Sequence, residues 1–288
     1  MTRRNVIITS SVLVGIIAII TILFGAVFRV REIQVKCDDG FYYHDQLDDI
    51  LSVSQLKKNT SIFALDNDKM IKNIEQNYPY AKVNSISLTS FTSVDIKLSN
   101  RIALYYFIEN EICYILDEDC KVLEKITIQE YNNRDYNLIE LKNVFSAGEG
   151  VGAGQFLDGK YAVILGQLFK DLYTNAMVEI DNGGQFEAKY LEREDMCNII
   201  SNVAFTYEYE IYGKVDRLVM STSYGLKITI IEPQKDLDKK VNQAFSAFRV
   251  LQARDREQGE NFTQTGAINV IYSYDEVGNC SIVCEYRA

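Results

Sequence analysis

The feature that most constrains this chain is an uncharged run near its start: residues 5–28 contain no Asp, Glu, Lys, Arg or His and are mostly Ile, Val, Leu, Ala and Phe. As an α-helix rising about 1.5 Å per residue the run would be about 36 Å long, enough to cross a bilayer. A cleaved signal peptide has an apolar core of roughly 7–15 residues followed by small residues at the cut. Cleavage after Ala26 would put Phe24 where a small side chain is needed. The reading is therefore one uncleaved transmembrane helix, residues 5–28, behind a four-residue tail, residues 1–4. Arg3 and Arg4 before the run are balanced by Arg29 and Arg31 after it, so basic-residue counting alone does not orient it. Later apolar stretches are too short and too interrupted by charge to span again.

Charge narrows what the rest can bind. Asp and Glu number 40 against 30 Lys and Arg, a net charge of −10. That figure includes the four arginines around the anchor, so residues 32–288 carry −14. Such a surface repels phosphate backbones and anionic headgroups, which argues against a nucleic-acid or peripheral lipid binder. With 47% hydrophobic residues and 2 prolines, the chain can build buried cores and is not disordered. About 260 residues beyond the anchor suit one large or two modest domains.

Catalytic and metal chemistry finds little support. The single histidine, His44, is followed by Asp45, but neighbours on a helix point about 100° apart, and a solvent-facing first-turn histidine is expected. The six cysteines contain no C-x-x-C pair, which removes zinc-ribbon and thioredoxin readings. Cys280 and Cys284 fall in one strand, roughly 13 Å apart at about 3.3 Å per residue, too far for a disulfide; all six read as small buried side chains. The glycines at 148, 150, 152 and 154 superficially suit a dinucleotide loop. Glu149 would face a pyrophosphate, however, and the Gly-x-Gly-x-x-Gly spacing closes only on Ala153, so a flexible entry into a second domain is expected. Asp66/Asp68 and Asp117/Glu118/Asp119 lack calcium-loop spacing and read as a helix cap and a hairpin turn. No cofactor or metal is expected.

The block after the anchor alternates strands and helices. Residues 30–35 alternate apolar and polar positions; Leu47, Ile50 and Leu51 then share a helical face. Asp66 caps a second helix carrying Met70, Ile71 and Ile74, with Leu65 placed to staple onto Met70, and that helix stops before Pro79. Strands at 83–88, 94–98 and 101–107 complete a β-α-α-β-β unit, and a hairpin at 111–116 and 120–126 follows.

This ordered series resembles the POTRA domain of the FtsQ/DivIB bacterial cell-division proteins. The matching stretches are Val30-Arg-Glu-Ile-Gln-Val35, Ser61-Ile-Phe-Ala-Leu-Asp66, Tyr78-Pro79 and Val83-x-x-Ile-x-Leu88. Residues 94–103 resemble a family strand ending Glu-Arg-x-Pro-x-Ala, and residues 114–123 its Val-Asp-x-x-Gly-x-Val-Leu hairpin. Asn100, Ile102 and Cys120 stand where the family has Glu, Pro and Gly. The resemblance implies an α+β chain: an N-terminal transmembrane helix, a POTRA domain at 30–107, and a β domain at 108–288 that is a mixed α/β sheet ending in a hairpin. Within the latter, a strand is expected at 138–145, helices at 161–173, within 181–212 and at 236–251, and a hairpin at 215–220 and 226–231. The final hairpin is expected at 267–272 and 279–286.

The resemblance further implies that residues 1–4 are a cytoplasmic tail and that the role of the rest is non-enzymatic, outside the cytoplasm, at the division septum. Its partners would be small single-pass coiled-coil proteins, FtsL-like and FtsB/DivIC-like, and through them septal peptidoglycan synthases. A strand at the edge of an open sheet exposes unpaired backbone groups, to which a partner segment can add as a further strand. The candidate partner-binding residues are Ile268, Val270, Tyr272, Tyr274, Ile282, Cys284 and Tyr286, with Tyr272 at the family's aromatic position. The bland alternative is that this hairpin merely ends the sheet, guarded by Asp275, Glu276 and Glu285. An anchored exported enzyme or ligand receptor using residues 181–212 as a lid is the competing class; a deep apolar cavity with convergent titratable groups would favour it.

Overall fold

A computed structural model describes residues 12–18, 28–145, 151–157, 159–181, 186–210, 213–259, 263, 266–274 and 280–287. The chain divides into two compact units, Met1–Arg101 and Ile102–Ala288. Most of the run expected to form the anchor lies outside the described residues. Within it, residues 12–18 are helical, and Val12, Leu13, Val14, Ile16 and Ile17 are all exposed. Among the described residues no helix is long and apolar enough to cross a membrane.

From residue 28 onward the first unit is a three-stranded sheet carrying two α-helices. Strand β1 (Glu32–Cys37) runs parallel to β3 (Ser93–Asn100), which runs antiparallel to β2 (Ala81–Leu88). Helices α1 (Leu47–Ser54) and α2 (Asn67–Asn77) supply Ile50, Met70 and Ile74 to a core that includes Val94, Ile96 and Leu98. The Asp66 side chain accepts the Lys69 N–H at 3.0 Å, the expected cap, and Leu65 packs against the same core as Met70. His44 opens a single 3-10 turn, His44–Gln46, ahead of α1 rather than lying within it, and its Nδ1 comes within 3.7 Å of Asp45 Oδ1. At the unit's end the Arg101 guanidinium bonds the Glu75 carboxylate at 2.8 Å with both side chains buried.

The stretch expected as this block's last strand, 101–107, instead contributes β4 (Tyr105–Glu109) to the sheet of the second unit. Arg101 is drawn back by its backbone bond to the Tyr80 carbonyl and by the buried ion pair, and pairing restarts four residues later with a different neighbour.

Among the described residues that second sheet has nine strands in the order β14-β13-β12-β11-β10-β7-β4-β5-β6. They are β4, β5 (Ile112–Leu116), β6 (Val122–Thr127), β7 (Ile139–Lys142), β10 (Ile200–Glu210), β11 (Gly213–Thr222), β12 (Lys227–Ile231), β13 (Ala267–Tyr274) and β14 (Cys280–Arg287). A separate ribbon pairs β8 (Met177–Asp181) with β9 (Phe186–Tyr190). The helices are α3 (Ile128–Asn132), α4 (Lys160–Asn175), α5 (Arg193–Ile199) and α6 (Leu237–Gln258). One sheet face carries Leu218, Met220, Ile228, Ile230, Ile268 and Val270 into a core shared with Leu165, Leu168 and Leu172 of α4 and Val241, Phe245 and Phe248 of α6. Full burial of each large side chain contributes roughly 1.5–3 kcal/mol, so this core dominates the unit's stability.

Two expectations change here. The segment at 181–212 is no lid: its second half is β10, hydrogen-bonded between β7 and β11 within the sheet. Leu191, Ile199, Ile200 and Val203 suggest a helix, but only Arg193–Ile199 is one; from Ile200 onward Val203 and Phe205 are buried at period two. The glycine run likewise is more than an entry loop. Its described half lies along β6, with Gly154 N–H on the Val122 carbonyl and Val122 N–H on Gln155, both at 2.8 Å.

Candidate functional site

The C-terminal hairpin forms one end of this sheet. After β12, Glu232 adopts φ 48° and Asp236 φ 46°, two left-handed residues around Pro233 that reverse the chain into α6. Asp236 stands before the first residue of that helix and its side chain makes no cap bond. Instead it takes the Lys239 ammonium at 2.8 Å and the Tyr272 hydroxyl at 2.9 Å. These two, the ammonium first, hold its carboxyl below the usual carboxylate range.

Lys240, fully buried, donates to the carbonyls of Ile231 at 2.7 Å and Glu232 at 3.0 Å. The same ammonium lies 4.1 Å from the Tyr272 ring centroid. A buried cation is tolerable only when its donors are satisfied, and here two carbonyls and an aromatic face serve it. The effect is to pin the end of β12, the start of α6 and the middle of β13 together. Sequence reading placed Tyr272 at a partner surface and did not foresee this second role; an Asp and a Lys four residues apart carry no such signal.

β13 runs parallel to β12 and antiparallel to β14, in register from Ala267↔Arg287 to Tyr274↔Cys280. Ile268 and Val270 are completely buried against the core. Their side chains cannot meet a partner; sitting one strand in from the end, they position β14 instead. Ile282, Cys284 and Tyr286 are partly buried on that same face, and Tyr272 is half-buried over Lys240. Tyr274 closes the ladder opposite Cys280. Burial raises the Cys284 thiol to about 11, so it stays protonated near neutrality and behaves as an apolar group. The opposite face of β14 exposes Ser281, Val283, Glu285 and Arg287. Asp275 and Glu276, expected to guard this edge, lie outside the described residues.

Among the described residues β14 has one strand neighbour, β13, and ends the sheet. The other end is β6, whose Val122 is already engaged by Gly154 and Gln155. Beside β14 lies a groove of about 700 Å³ lined by Asn175, Asp238, Asn242, Gln243, Ser281 and Ile282 among others. Polar and apolar groups contribute about equally to its wall, and Ser281 and Ile282 of β14 form part of it.

No family model matches the chain. Among curated proteins, the cell division protein DivIB of Clostridium tetani is 25% identical over 251 residues, covering 87% of this chain and 78% of that protein. The cell division protein DivIB of Clostridium acetobutylicum is 28% identical over 194 residues, covering 67% of this chain and 71% of that one.

Proposed function

We propose that this chain, whose DivIB relatives support membership of the FtsQ/DivIB family, is a membrane-anchored scaffold of the cell-division machinery. In this reading residues 5–28 form a single span, and the charge-free sequence together with helical residues 12–18, apolar and exposed, supports it. The two units stand outside the cytoplasm, the first as a POTRA domain. They bind small coiled-coil division proteins, FtsL-like and FtsB/DivIC-like, and so help regulate septal peptidoglycan synthesis.

The observation that carries the binding mode is the position of β14 at the end of the nine-stranded sheet. An added strand would gain main-chain hydrogen bonds from this edge, and its alternate side chains would enter the groove beside Ile282.

Alternate residues of an antiparallel pair turn their N–H and C=O towards the neighbour or away from it, so one of Ile282 and Val283 presents its N–H outward. The test is co-purification from detergent with an N-terminal tag, comparing the unaltered chain with Ile282→Pro and Val283→Pro. Recovery of small coiled-coil membrane proteins, lost in the outward-facing proline variant while its circular dichroism is unchanged, is the expected result. Equal recovery with both prolines would remove strand addition; recovery of none by the unaltered chain would remove the scaffold reading.

A further inference from the structure

The first unit gathers three phenylalanines at one point, two of them exposed and Phe28 half-buried between them. Phe28 is 5.7 Å, centroid to centroid, from Phe63 and 5.5 Å from Phe91, and the latter two rings are 65% and 73% exposed. Single exposed apolar residues are ordinary, but a cluster marks an interaction surface. Phe63 sits in the 3-10 turn Ile62–Ala64, and Phe91 in the turn joining β2 to β3, where Leu88 is also half-exposed.

Backbone bonds hold both turns against the chain at the end of the charge-free run. Ile62 N–H donates to the Phe28 carbonyl at 3.1 Å and Arg31 N–H to Thr92 at 2.7 Å; Val30 N–H donates to Thr60 at 2.9 Å and its carbonyl accepts Asn59 N–H at 2.7 Å. Wherever Phe28 lies, Phe63 and Phe91 therefore lie at the same level.

Charge is arranged to match. Although residues 32–288 are strongly acidic, segments 28–32, 57–63 and 88–93 together hold Arg29, Arg31, Lys57 and Lys58 against one acid, Glu32. All four basic residues are exposed. Apolar phenylalanine rings beside exposed cations suit a surface that buries its rings at the acyl boundary and sets its cations against anionic headgroups.

We propose that Phe28, Phe63 and Phe91 form a collar that seats the first unit directly on the membrane surface, with the four cations over the headgroups. The collar rests on the anchor reading, because it needs Phe28 to emerge at the interface. A run of about 36 Å exceeds the roughly 30 Å hydrocarbon core, which leaves its last residue at the headgroup boundary. The partner is thus the lipid bilayer, and the unit is not held off it on a flexible stalk.

The chain contains no tryptophan, so single substitutions report one position each. Four variants of the full chain, Ile16→Trp, Phe63→Trp, Phe91→Trp and Tyr42→Trp, would be reconstituted into phosphatidylcholine–phosphatidylglycerol vesicles with brominated acyl chains. Tyr42 is the aqueous control: it is exposed, and its N–H bonds the Asn100 side chain at the far end of β3, roughly 25 Å from the collar at about 3.3 Å per residue. The expected result is blue-shifted, strongly quenched emission at positions 16, 63 and 91, and unshifted, unquenched emission at 42. Quenching at 16 with positions 63 and 91 behaving like 42 overturns the collar and leaves the anchor standing. No quenching at 16 overturns the anchor and the collar with it.

Discussion

Arg101→Ala is the sharpest perturbation of the first unit. The Arg101 Nη2 lies 2.8 Å from Glu75 Oε2, both side chains are more than nine-tenths buried, and Glu75 Oε1 also accepts the Val83 N–H at 2.9 Å. At that separation and an effective dielectric of about 20, the attraction is about 6 kcal/mol, much of it offset by the cost of taking two ions out of water. Removing one partner leaves that cost uncompensated, so the unit should lose about 3–5 kcal/mol. For a unit of this size each kcal/mol lowers the melting temperature by roughly 4–8 °C, which puts its transition at least about 12 °C lower. Hydrogen exchange on the full chain localises the effect: amides of β2 and β3 should lose roughly two to four orders of magnitude of protection, while β10 to β12 are unchanged. The double variant Glu75→Met/Arg101→Met should be less damaged than Arg101→Ala, since an apolar pair carries no unpaired buried charge. Unchanged protection in Arg101→Ala, or a double variant more damaged than Arg101→Ala, would refute the argument.

Two further outcomes follow from burial and charge. Burial pushes the Cys113 thiol up to about 12, the Cys284 thiol to about 11 and the Cys120 thiol higher still, so iodoacetamide at pH 8 should leave all three unmodified until the chain is unfolded; labelling of the native chain at Cys120 would contradict this. Asp236 has a depressed carboxyl, held first by Lys239 and then by Tyr272, so its contribution is present above the ordinary carboxylate range and is lost as pH falls through the lowered value. Local exchange at the start of α6 should therefore rise on acidification, and Asp236→Asn should flatten that dependence; an unaltered profile would show that the contact does not stabilise the turn.

Local patterns in the chain already specified much of this molecule. Alternation at period two and the 3–4 spacing of Val241, Ala244, Phe245 and Phe248 marked strands and helix because those periods follow from backbone geometry alone. Asp66 announced its helix start because a cap acts across three residues. Cys120, read as the first residue of a strand, instead has φ 60°, a left-handed conformation that a cysteine adopts at a steric cost, and the strand begins at Val122.

What the sequence could not decide was which strand pairs with which. β4 follows the first unit yet belongs to the second sheet, and β10 joins β7 and β11 although its residues read locally as a longer connection. Strand pairing is settled by hydrogen bonds and burial between segments far apart in the chain, so only tertiary structure could make β14 an edge, bury Ile268 and Val270, and lodge Lys240 between two carbonyls and Tyr272. The same holds for the phenylalanine cluster: residues 28, 63 and 91 meet because two turns are laced to one backbone segment, a proximity that no spacing along the chain encodes.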